Sequence, residues 1–81
     1  MNIDFSTFTM SIASAAMMGL GLAPRPDTGK TEVDLEWARQ NIDLLEMMQL
    51  KTKNNLSADE ERLLEKLLLE CRTKYVEEAR K

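Results

Sequence analysis

The chain has 81 residues, a net charge of −3 from 14 acidic and 11 basic side chains, one cysteine and no histidine. Such a length makes one small domain whose core yields only about 3–5 kcal/mol net, so assembly with another chain is a common remedy. The acidic balance and the scarcity of aromatics (Phe5, Phe8, Trp37, Tyr75) argue against nucleic acid, which asks for a basic stripe and a stacking platform.

Asp4 is the single charged side chain in residues 1–24, whereas the rest of the chain is densely charged. The start, Met1 to Asp4, lacks the positive n-region of a secretory signal. Residues 5–22 are interrupted as a membrane span by Ser6, Thr7, Thr9, Ser11 and Ser14. A first helix is expected from about residue 5 to 20, capped by Asp4 or Ser6. On its wheel Phe5, Phe8, Ile12, Ala15, Ala16 and Gly19 share one face, and Met10, Ala13, Met17 and Leu20 form a second apolar strip. Thr7, Ser11, Ser14 and Met18 occupy what remains. Two strips point to a helix contacted on two sides. Ser11, Ala15 and Gly19 recur every four residues, the small-residue spacing that allows close helix approach, within this chain or between chains.

Gly19 and Gly21 are expected to end that helix, with Pro24 and Pro26 preventing its continuation. Residues 21–33 then form a loop with a turn at Pro26-Asp27-Thr28-Gly29. Gly29-Lys30-Thr31 imitates the end of a phosphate-binding loop, but the glycine required five residues earlier is Pro24 and no apolar strand precedes it.

A second helix, about 35–53, starts at Asp34 as its cap. Leu35, Ala38, Ile42 and Leu45 line its inner face, extended by Trp37, Leu44 and Met48; Arg39, Gln40, Asp43 and Glu46 mark the solvent side. Asn54 or Asn55 supplies the left-handed residue that ends it. Ser57-Ala58-Asp59-Glu60 then fits a capping box for a third helix, about 58–79. Leu64, Leu67, Leu68, Cys71 and Tyr75 form its core stripe, while Leu69 and Val76 point the opposite way. The short connection between these helices favours an antiparallel hairpin.

The stretch Leu35 to Glu77, with Phe5-Ser6-Thr7-Phe8 and Pro26-Asp27-Thr28-Gly29, resembles a family of short bacterial proteins known as domain of unknown function 1844. Ala38-Arg39-Gln40-Asn41-Ile42-Asp43, Lys51-Thr52-Lys53-Asn54-Asn55-Leu56 and Glu60-Glu61-Arg62-Leu63-Leu64 carry the resemblance, which covers most of the chain. The family prefers glycine where this chain has Asn54, and asparagine also tolerates the left-handed conformation. The resemblance implies a small helical bacterial protein, with no activity, ligand or catalytic residue to carry over.

No constellation of catalytic, cofactor-binding or metal-ligating residues stands out. Asp59, Glu60 and Glu61 suit the positive end of a helix dipole and point in different directions. Cys71 sits on a core stripe without a histidine to activate it, and the methionines read as gap-fillers of a small core. The expected fold is all-α: an antiparallel hairpin of helices two and three, the apolar first helix packed across it, completed by dimerisation. The expected function is that of a small non-catalytic interaction protein in the cytoplasm. It self-associates, or docks to a protein partner, through Phe5, Phe8, Met10, Ser11, Ile12, Ala15, Met17 and Gly19. The alternative is a peripheral membrane protein anchored by helix one.

Overall fold

The computed structural model describes residues 4–81; Met1 to Ile3, which belong to the segment compared above with a secretory signal, lie outside the described residues. Among the described residues the chain forms three helices, α1 (Phe5–Gly19), α2 (Leu35–Lys51) and α3 (Ala58–Ala79). Each begins where a side chain satisfies free amides of the first turn. The Asp4 carboxylate accepts from Thr7 N at 2.7 Å, which holds its pKa below the ordinary value of 3.8. Asp34 accepts from Trp37 N at 3.1 Å. Ser57 and Glu60 close the expected capping box in both directions, at 3.2 and 2.9 Å.

The helix ends are set by left-handed residues. Gly21, at φ +75°, stops α1: its amide bonds to the Met18 carbonyl and that of Leu22 to the Met17 carbonyl, the paired bonds of a Schellman motif. Helix one therefore ends at Gly19, one residue before the expected boundary, and Gly19 has a different task. A Cβ on Gly19 would stand 2.8 Å from the Ala38 backbone nitrogen. The absent side chain lets α1 lie directly on the first turns of α2. Helix two ends at Lys51 rather than at residue 53, because the Thr52 hydroxyl donates to the Met48 carbonyl and Asn54 turns left-handed at φ +71°.

The loop from 20 to 33 is tied at its base and its middle. Leu20 and Val33 form an antiparallel bridge, and Asp34 N donates to the Gly19 carbonyl at 2.7 Å. The expected turn closes with Gly29 N donating to the Arg25 carbonyl, Gly29 itself being left-handed at φ +70°. Arg25 lies 5.1 Å from the centre of the Trp37 ring and 3.7 Å from Asp34, an arrangement that pins the loop against α2.

The core is one cluster fed by all three helices: Ala13 and Ala16 from α1, Ile42, Leu45 and Met48 from α2, Leu64, Leu68 and Cys71 from α3. Thr9 and Asn41 are buried beside this cluster although polar. Each satisfies itself within its own helix, the Thr9 hydroxyl donating to the Phe5 carbonyl at 2.8 Å and the Asn41 amide to the Trp37 carbonyl at 2.9 Å. Leu44, expected inside, is 42% exposed. Glu46, expected in solvent, is half-buried and accepts two hydrogen bonds from Arg72 of α3.

The body is thin. Its extents are 37 × 32 × 16 Å. Two helix layers about 10 Å apart, with backbone radii of about 2.3 Å, account for a thickness of about 15 Å. Helix one therefore makes one layer and the hairpin the other. The radius of gyration, 13.0 Å, exceeds the roughly 12 Å of a compact chain of this length.

Stability tests follow from two of these contacts. Gly19→Ala should lower stability by about 1–2 kcal/mol, since pushing two backbones apart outweighs the gain in helix propensity. Ser57→Ala should cost about 1 kcal/mol through loss of the capping box. Each kcal/mol lowers the midpoint of thermal unfolding by roughly 4–8 °C, measured by circular dichroism.

Cys71 is completely buried, and burial, aided by the charge of Glu70, pushes its thiol up to about 11 from 9.0. The proton is held more tightly in the folded state, so this contribution to stability is full below pH 9.0 and is lost as pH rises towards 11. A thiol reagent at neutral pH should leave the native protein unlabelled and label one thiol per chain in denaturant. Rapid native labelling would place Cys71 outside the core.

Candidate functional site

Helix one is amphipathic in an unusual sense: both its faces are uncharged. At 100° per residue the buried positions Thr9, Ala13, Ala16, Gly19 and Leu20 centre on a line between the two apolar strips expected from sequence. The hairpin and loop therefore take the inner margin of both strips rather than the whole of one. What remains outside is a face with Thr7, Ser11 and Ser14 along its middle, Phe8 on one border and Met10 on the other. Phe8 is 51% and Met10 53% exposed.

The eight residues expected to form an interface divide accordingly. Phe8, Met10 and Ser11 stand exposed. Phe5, Ile12, Ala15 and Met17 are half-buried at the seam with the rest of the fold, and Gly19 is consumed by its contact with Ala38. The small-residue series Ser11, Ala15, Gly19 consequently winds from solvent into the core and does not make one external stripe. Thr7, Ser14 and Leu22 join the exposed set instead. The wheel already placed Thr7 and Ser14 off both apolar strips. Leu22 could not be placed, because its position depends on the Schellman turn.

Its hydroxyls are partly committed. Ser11 Oγ donates to the Phe8 carbonyl at 2.7 Å, leaving its lone pairs free to accept. The Asp4 carboxylate caps the N-terminal end of α1, whereas its last turn carries no basic residue. Beside this face, Met10, Ser14 and Met17 form a shallow groove with Ala23 of the loop and with Leu67 and Glu70 of α3.

Other depressions are equally poor in reactive groups. The one at Arg25 and Trp37 is bordered by Asp34, Glu36 and Gln40, and the one at the α2–α3 turn by Leu50, Thr52, Asn54 and Leu56. Among the described residues, no three His, Cys, Asp or Glu side chains gather as metal ligands do. No helix of the described residues is long and apolar enough to cross a membrane. At about 1.5 Å per residue α1 extends only about 22 Å.

Comparison with known proteins adds the family and nothing about activity. No curated protein and no solved structure matches the chain. The model of one family, described as domain of unknown function (DUF1844), matches residues 2–77, nearly the whole sequence. The chain belongs to the DUF1844 family.

Proposed function

We propose that this protein is a small non-catalytic interaction module that pairs with a second copy of itself through the outward face of α1. The observation that carries this reading is the absence of charge across that face, in a chain whose other two helices are charged on their outer sides. A helix facing only water gains from charged residues on its solvent side; one facing a protein does not. The surface area supports the same reading. The chain exposes 5750 Å², against about 5,000 Å² for a compact monomer of its mass. The excess approaches the roughly 800 Å² that each partner contributes to a standard interface.

Small side chains along the middle of the face let two backbones approach, while Phe8 and Met10 at its borders supply apolar area. Cytoplasmic residence belongs to the proposal and rests on composition: a lone thiol and no disulfide framework. The face lacks the Lys and Arg with which interfacial helices meet anionic lipid, which favours a protein occupant over a membrane.

Sedimentation and light scattering test the idea. The wild type should be dimeric at micromolar concentration. Met10→Arg and Ser11→Arg change exposed residues, so they should preserve helicity while weakening pairing by about tenfold or more. A stable wild-type monomer at that concentration overturns the reading. Capture by vesicles of anionic phospholipid, lost on Met10→Asp, would replace it with a peripheral membrane role.

A further inference from the structure

The outer sides of α2 and α3 bear complementary strips that are largely turned away from each other within one chain. On α2, Glu36, Gln40, Asp43, Met47 and Leu50 follow one another at spacings of four and three residues, the repeat of a coiled-coil seam. All are exposed, Leu50 by 75% and Met47 by 44%. On α3, Arg62, Lys66, Leu69, Thr73, Val76 and Arg80 keep the same alternation and are also exposed, Leu69 by 66% and Val76 by 46%. The α2 strip combines acidic and apolar side chains, and the α3 strip basic and apolar ones. Their margins reverse the sign: Arg39 and Lys51 border the acidic strip, Glu70 and Glu77 the basic one.

Charge and apolar area are both unspent here. Among the described residues, Glu36, Asp43, Lys66 and Arg80 take part in no ion pair, and Arg62 only approaches the exposed Asp59 at 3.9 Å. Each strip lies opposite the buried positions of its own helix, Ala38, Ile42 and Leu45 on α2 and Leu64, Leu68 and Cys71 on α3. Both strips therefore face away from the hairpin core, although Asp43 and Val76 border one depression between the helices together with Arg39, Glu46 and Arg72.

We infer that the α2 strip of one copy docks on the α3 strip of another, a contact distinct from the α1 face. Opposite charge at the seam and inverted charge at its margins select this pairing, whereas α3 on α3 would set arginine and lysine against their own kind. Two different surfaces meet, so the contact is head-to-tail. It extends into a ring or a chain of copies rather than closing as a two-fold pair. It uses no residue of α1 and stands or falls separately from pairing there.

Salt separates the two contacts. Between about 0.05 and 0.5 M salt the screening length falls roughly threefold, which weakens the charged seam and spares the uncharged α1 face. Sedimentation of the full chain at about 100 µM should show species larger than a dimer at the lower salt, with average mass falling about twofold at the higher. The double variants Glu36→Lys with Asp43→Lys and Lys66→Glu with Arg80→Glu should each lose the larger species while keeping wild-type helicity. Mixed in equal amounts they should regain it, since each reversed strip then finds a reversed partner. The inference is overturned if the wild type gives the same mass at both salt concentrations, or if the mixture stays as small as its separate components. Loss of dimers in Met10→Arg without loss of the salt-sensitive contact would implicate α1 alone.

Discussion

The approach of Gly19 to Ala38 fixes where the first helix can lie, and the remaining architecture depends on that placement. A side chain at 19 would stand within 3.0 Å of backbone atoms of α2, so only glycine permits the contact. The hydrogen bond from Asp34 N to the Gly19 carbonyl and the bridge between Leu20 and Val33 hold the same junction. With its C-terminal end anchored there, α1 lays Ala13 and Ala16 onto the hairpin. Small residues bring the layers together; the larger Ile42, Leu45, Leu64 and Leu68 fill the other side of the seam. The polar residues in this region add no specificity across it, since Thr9 and Asn41 both bond back to their own helices. Shape, with the backbone bonds at the Gly19 junction, sets the register of α1 on α2.

A two-layer body of three helices has little interior. Its core depends on ten buried apolar residues, and each layer keeps one side in contact with solvent. The two layers answer that condition differently. The hairpin clothes its outer sides in charge, with Leu50, Leu69 and Val76 set among acidic and basic neighbours. Helix one offers hydroxyls, Phe8 and Met10. A surface of the first kind recognises by sign and register, one of the second by close fit and removal of water.

Local chemistry made much of this fold legible in the sequence. The caps at Asp4, Asp34 and Ser57 involve side chains three residues from the amides they serve, and the left-handed Asn54 needs no tertiary contact to be recognised. The leucine stripe of α3 and the burial of Cys71 followed from one clear period. Helix one was harder because its composition hardly varies around the circumference. With no charge to mark the solvent side, the wheel offered two apolar strips, and the buried line ran between them through Thr9, which belonged to neither. Gly19 looked like a helix stop, and a stop and a packing site leave the same letter. Leu44 is exposed and Glu46 pairs with Arg72 because the direction from which a neighbouring helix approaches is tertiary information that an isolated period does not contain.

The nearly uncharged N-terminal segment also bears on how the chain is made. It precedes α2 and α3, so it leaves the ribosome before either helix exists to cover Ala13, Ala16 or Leu20. During that interval neighbouring nascent chains expose the same apolar segment to one another with almost no charge to repel them, since Asp4 is alone in residues 1–24. Burial of its inner side must wait for the hairpin, whose own short connection lets it close quickly once synthesised. The longer this segment stays uncovered, the greater its exposure to aggregation, so the speed with which α2 and α3 follow matters to the yield of folded chain.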